Sequence, residues 1–226
     1  MTLAVLTLLV GVQGEPKVNV TIYMESLCRH CTDFLRGQFS PYWLSLQYNV
    51  NIKLVPYGRA RYVNSTLHCR HGPNECAINK IMACAMKHFP GYNEVVPFVL
   101  CLQQKSPDMM ESCSEPLAVD HAKLKTCVEG KEGDYLMEVL YKETAKLIRR
   151  IKVISRVPIL LFDDDIKIGG DVPFGEEVCR RLPETIQKDK CNWFHLKRNG
   201  QRRSTYIFST LGIIIVIGFK TASLLS

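Results

Sequence analysis

The chain has 226 residues, with 29 Lys and Arg against 22 Asp and Glu, 46% hydrophobic residues and 23% charged ones. That length allows one domain, with or without an insertion, and the composition excludes wholesale disorder. The net charge of +7 is local: residues 192–226 carry Lys197, Arg198, Arg202, Arg203 and Lys220 with no acid, and residues 1–14 carry no charge. The body between holds 24 basic and 22 acidic residues. It is close to neutral, so a nucleic-acid-binding surface has little support.

In chain order, Leu3 to Val12 is apolar and is followed by Gly14 and Pro16. This is the pattern of a signal peptide over residues 1–14, with a buried strand as the alternative. Ten cysteines (28, 31, 69, 76, 84, 101, 113, 127, 179 and 191) suit an oxidising compartment. So do two glycosylation sequons, at Asn19 and Asn64. Val18 to Glu25 alternates apolar and polar side chains and is rich in β-branched residues, which predicts a strand. Over Ser26 to Leu35 the pattern changes to helical spacing, with Pro41 expected to kink that helix or end its first half. A second alternating strand runs from Val50 to Pro56, so the unit is βαβ with parallel pairing.

From Cys69 to about residue 150 the periodicity is helical: Ile78, Met82, Ala85 and Phe89, then Leu136, Val139, Leu140 and Leu147. Pro97, Pro107 and Pro116 are expected to separate the pieces. Arg156 to Phe162 returns to strand composition, Asp163-Asp164-Asp165 reads as a turn, and Ile166 to Ile168 as its partner strand, ending at Gly169-Gly170. Glu176 to Leu182 can close the fold as a helix. The architecture predicted over residues 17–191 is βαβ, a helical insertion at about 69–150, then a β-hairpin and helix. In the tail, Tyr206 to Phe219 is uncharged but shorter than the roughly 20 residues that span a bilayer. Residues 192–226 are therefore either a marginal membrane anchor or an appended segment outside the fold.

Cys28 and Cys31 form a Cys-x-x-Cys between strand and helix. The unpaired N–H groups and partial positive charge of a helix N-terminus stabilise a thiolate at Cys28, and Arg29 and protonated His30 add charge beside it. A Cys28 thiolate can attack a disulfide, and Cys31, one turn on, can resolve the mixed disulfide. A zinc site would need a second Cys/His pair at similar spacing, which is lacking, so no metal is expected. An inert structural bridge is the other alternative. Val157-Pro158 argues against it, because a proline opening a late strand is where thioredoxin-like proteins set a cis-proline beside the CxxC.

The segment from Cys69 to Cys84 resembles the signature C-Q-H-G-x-x-E-C-x-x-N-x-x-x-x-C of the gamma-interferon-inducible lysosomal thiol reductase (GILT) family. Cys69, His71, Gly72, Glu75, Cys76, Asn79 and Cys84 match it in type and spacing, and Arg70 departs from it. The resemblance implies an α/β, thioredoxin-like βαβ…ββα core with a helical, disulfide-stapled insertion. It also implies a thiol reductase of the lysosomal or endosomal lumen, or secreted, that reduces protein disulfides at acidic pH. Such an enzyme has no bound cofactor and draws electrons from an external thiol reductant. Cys28 would be the nucleophile, Cys31 the resolving thiol, and Val157 and Pro158 the backbone against which substrate docks.

The signature cysteines are spaced for bridges. Cys69, Cys76, Cys84, Cys101, Cys113, Cys127, Cys179 and Cys191 are expected to make four structural disulfides, of 105 arithmetically open pairings. Cys179 with Cys191 is a guess from their proximity. Two other functions remain open: an oxidase or isomerase of the DsbA or PDI kind, and a secreted disulfide-rich binding protein without catalysis. Nucleic acid is excluded as a partner, and membrane contact would come only through residues 206–219.

Overall fold

The computed structural model describes residues 16–193 and two short strands beyond them, Ile207–Phe208 and Ile214–Ile215. The signal-peptide reading of residues 1–14 and nearly all of the tail lie outside the described residues. The chain divides into two compact units, residues 1–182 and 183–226.

The first unit is built on a four-stranded sheet. Its strands are β1 (Val18–Met24), β2 (Val50–Pro56), β5 (Ile159–Phe162) and β6 (Asp165–Ile168), in the order β2-β1-β5-β6. β1 and β2 are parallel, pairing Val18 with Val50 and Met24 with Pro56. β5 runs antiparallel to β1, with Tyr23 opposite Ile159, and β6 antiparallel to β5. All four residues of β5 are buried, so both faces of the sheet are covered there and β5 can show no polar alternation.

Successive side chains of a strand point to opposite faces. On one face Tyr23, Val55, Ile159 and Leu161 pack with Ala83, Met137, Leu140 and Leu147. These come from α3 (Pro73–His88) and α7 (Lys131–Ile151). On the other, Phe162 meets Phe174 of α8 (Phe174–Cys179), with ring centroids 6.1 Å apart. Phe174 also contacts Phe34 and Phe39 of the crossover. That crossover is α1 (Arg29–Phe34), a π-helical turn at Leu35–Phe39, and α2 (Ser40–Leu46). Pro41 falls in the first turn of α2, where its missing N–H costs nothing. Residues 29–46 are helical throughout, so Pro41 neither ends nor interrupts the helix, and the departure from α geometry is the π-helical turn before it.

The insertion departs from expectation at two points. A short hairpin, β3 (Arg61–Val63) and β4 (Thr66–His68), precedes α3; its alternating residues are exposed or half-buried, so it carries no hydrophobic pattern. Pro97 lies inside α4 (Tyr92–Leu102) instead of ending it. Pro97 is on the exposed face, where water can satisfy the carbonyl that loses its partner. The remaining insertion helices are α5 (Met110–Ser114) and α6 (His121–Glu129). Disulfides staple the pieces: Cys69–Cys76 at the start of α3, Cys84–Cys127 between α3 and α6, and Cys101–Cys113 between α4 and α5. Cys179 and Cys191 are also disulfide-bonded.

The second unit contains α9 (Glu184–Lys190) and the antiparallel pair β7 (Ile207–Phe208) and β8 (Ile214–Ile215). Among the described residues no helix is long and apolar enough to cross a membrane. Of the two sequon asparagines, Asn64 is exposed in the turn of the β3–β4 hairpin. Asn19 is exposed on β1, where its side-chain amide donates to Asp163 at 3.0 Å.

Candidate active site

β1 ends at Met24, and the next four residues turn the chain into α1. The turn is tied by the Cys28 N–H, which donates to the Glu25 carbonyl at 3.4 Å. Cys28 is the N-cap of α1 in extended conformation, and its Sγ accepts the Cys31 N–H at 3.3 Å. The thiol thus takes the place that Ser or Asp holds at an ordinary N-cap. Cys28 is 4% exposed and Cys31 fully buried, and neither is in a disulfide.

This arrangement splits two chemically identical groups. A hydrogen bond from the Cys31 thiol, outweighing burial, lowers Cys28 from the ordinary 9.0 to about 7. Burial, followed by the adjacent Cys28, holds Cys31 far above its ordinary value. The two thiols ionise as a pair, with the proton retained on Cys31. A nucleophile and a protonated partner one turn apart are what thiol–disulfide exchange needs.

The charges that act most on Cys28 are Glu25, which opposes the thiolate, and Arg59, which favours it. The sequence reading names Arg29 and His30 for that role. The Arg29 side chain is 89% exposed and faces Asp33 at 3.9 Å, so solvent screens its field. Arg59 lacks any sequence signal, being a lone arginine in a turn.

Val157 and Pro158 do come to the cysteines. The bond between them is cis, and the Cys28 thiol donates to the Val157 carbonyl at 3.7 Å. A cavity of about 450 Å³ runs beside this contact, lined by His30, Asp33, Arg156, Val157, Gly170 and Asp171 among others. Gly170 packs so closely on the CxxC turn that a Cβ there would stand 2.7 Å from the His30 carbonyl oxygen. In the sequence Gly169-Gly170 reads only as the end of a hairpin, so this close approach is not visible there.

The signature segment proves to be a support for the same turn. Asn79 accepts the Ser26 N–H at 3.0 Å, and the Ser26 hydroxyl donates to the Glu75 carbonyl at 3.4 Å. From the end of α4, the Gln104 N–H donates to the Ser26 carbonyl at 3.3 Å, and Gln103 accepts the Thr32 hydroxyl at 3.1 Å. The insertion thus grips the chain on both sides of Cys28. Glu75, also buried, accepts from His71.

Two clusters of metal-ligand type occur among the described residues: His88, Cys127 and Glu132, and Glu25, His71 and Glu75. Cys127 is committed to its disulfide with Cys84. Both carboxylate oxygens of Glu25 are engaged by Arg59, whose charge already compensates the acids.

A CxxC capping the first helix of a mixed four-stranded sheet, with a late X-Pro loop against it, defines a thioredoxin-like thiol–disulfide oxidoreductase. Comparison with known proteins agrees. The solved structure of Chlamydia trachomatis DsbA superposes with a TM-score of 0.52, covering 81% of this chain and 88% of that one at 13% identity, a likeness of fold. The family model described as Gamma interferon inducible lysosomal thiol reductase (GILT) matches residues 19–117. An Anopheles gambiae gamma-interferon-inducible lysosomal thiol reductase-like protein is 28% identical over 196 residues, covering 77% of this chain and 81% of the relative. The gamma-interferon-inducible lysosomal thiol reductase of Mus musculus is 34% identical over 132 residues, covering 54% of this chain and 52% of the relative. The chain is thus similar to the GILT family over residues 19–117, and it is a disulfide oxidoreductase.

Proposed function

We propose that this protein reduces disulfides of protein substrates at acidic pH, in the lysosomal or endosomal lumen or outside the cell. The Cys28 thiolate attacks one sulfur of the substrate disulfide. A Cys28–substrate bond forms, the substrate S–S bond breaks, and the departing sulfur takes up a proton. Cys31 then gives up its proton and attacks Cys28 Sγ, which releases the second substrate thiol and leaves a Cys28–Cys31 disulfide. An external thiol restores the dithiol, and no bound cofactor is required. Substrate docks along the cavity beside Val157 and Pro158, and the eight other cysteines serve as staples. Asn19 and Asn64 are the glycan acceptors of a chain that enters the secretory pathway.

The observation that carries the reading is the split between the two thiols. An ordinary thiol is almost wholly protonated in an acidic lumen, whereas one lowered to about 7 keeps far more thiolate there. The direct test is reduction of insulin by the purified protein with a small thiol as reductant, from mildly acidic to neutral pH. Reduction that persists at acidic pH and vanishes in Cys28→Ser is expected. Net oxidation of dithiol substrates in the same buffer would refute it.

A further inference from the structure

Glu25 is fully buried three residues before Cys28, an expensive place for a carboxylate unless it is paired. The turn after β2 is shaped around it. Gly58 has a φ of +58°, and any Cβ there would collide with the Glu25 side chain. The next residue, Arg59, meets the carboxylate twice, with Nη2 2.5 Å from Oε1 and its own backbone N–H 3.0 Å from Oε2. The same guanidinium reaches the other wall of the site, where Nη1 donates to the Ser155 carbonyl at 3.4 Å. Ser155 lies two residues before Val157, whose carbonyl meets the Cys28 thiol. The Arg59 side chain is only 19% exposed, and its Nε is buried without a hydrogen-bond partner.

We propose that Arg59, held by Glu25, is a positioning residue of the CxxC site: it offsets part of the Glu25 charge at Cys28 and fixes the chain that presents the Val157 carbonyl. The other groups facing this pair are His71, 3.8 Å from Glu25 Oε1, and Glu75, both from the signature segment. Two acids therefore stand under the cysteines, and Arg59 is the permanent cation among them. Removing its charge while leaving Glu25 exposes the Cys28 thiolate to an uncompensated like charge. Removing the Glu25 charge alone has the opposite sign. At Cys28 the two charges do act with these opposite signs, and Glu25 is the stronger.

The proposal rests on Cys28 being the nucleophile, and the experiment separates the two claims. Iodoacetamide alkylation of Cys28 in the reduced protein is followed against pH, by mass, for wild type, Arg59→Gln, Arg59→Lys, Glu25→Gln and the double Glu25→Gln/Arg59→Gln. Arg59→Gln is expected to slow alkylation at neutral pH about fivefold, since a shift of one pKa unit is tenfold well below the midpoint. Glu25→Gln is expected to speed it, and the double variant to return near wild type. Arg59→Lys keeps the charge and so the alkylation profile, but loses the fork that reaches Ser155, and KM for insulin rises. If Arg59→Gln does not fold, Glu25→Gln, Arg59→Lys and the double variant still carry the opposite-sign test. Shifts of the same sign in both single variants, or an unchanged profile in Glu25→Gln, overturn the proposal. A wild-type Cys28 that titrates as an ordinary thiol overturns instead the reading it rests on.

Discussion

Replacing Cys31 by Ala removes the largest single influence that lowers Cys28, the thiol hydrogen bond, while leaving the backbone N–H that reaches Cys28 Sγ at 3.3 Å. Wild-type Cys28 ionises at about 7 against an ordinary 9.0. At pH values below both, that difference multiplies the thiolate fraction by about a hundred. Because the Cys31 contribution leads, its loss should return at least about half of the displacement, a fall of about tenfold in alkylation rate at acidic pH. The assay is iodoacetamide labelling of Cys28 across a pH series. Linkage gives a second readout. A thiol whose folded value is depressed adds stability to the reduced protein above its unfolded value, and that stability is lost as pH falls through about 7. The thermal midpoint of reduced wild type should therefore exceed that of Cys28→Ala most at alkaline pH, and the gap should narrow on acidification. An identical alkylation profile in Cys31→Ala would refute the reasoning about the pair.

Three further variants probe what holds the turn and the insertion. Asn79→Ala leaves the buried Ser26 N–H without its acceptor, which should cost about 1–3 kcal/mol in urea unfolding and lower reductase activity. Gly170→Ala drives a Cβ against the His30 carbonyl; turnover of a protein substrate should drop while the alkylation rate of Cys28, a small-reagent measure, changes little. Opening Cys84–Cys127, which spans 43 residues, should destabilise by about 4 kcal/mol on the chain-entropy argument. That is more than opening Cys69–Cys76 with its span of 7.

Much of this molecule is legible in its sequence wherever a hydrophobic period is tied to one covered face. Val18–Met24 and Val50–Pro56 alternate because their outer positions reach solvent, and α7 carries a helical stripe because it buries one side, while α3 is buried all round from Ile81 to Ala85. The CxxC and Val157-Pro158 are legible as motifs, and the signature names Glu75 and Asn79 without saying what they hold. What stays hidden has no period. The β3–β4 hairpin is too short and too exposed to show a pattern. Pro97 is tolerated in α4 because it faces water, a fact about tertiary placement. Arg59 and Glu25 meet across thirty-four residues of chain, and no local signal links a turn arginine to the glutamate that follows a strand. Arg29 and His30 stand next to Cys28 in sequence, whereas Arg59 comes to bear on it only through the fold.

The most direct test of the assigned chemistry is trapping. Cys31→Ser should attack a disulfide substrate through Cys28 and stall, accumulating a mixed disulfide visible on a non-reducing gel and abolished when Cys28→Ser is added to it. Full reductase turnover in Cys31→Ser, with no trapped species, would contradict the assignment of Cys28 as nucleophile and Cys31 as resolving thiol.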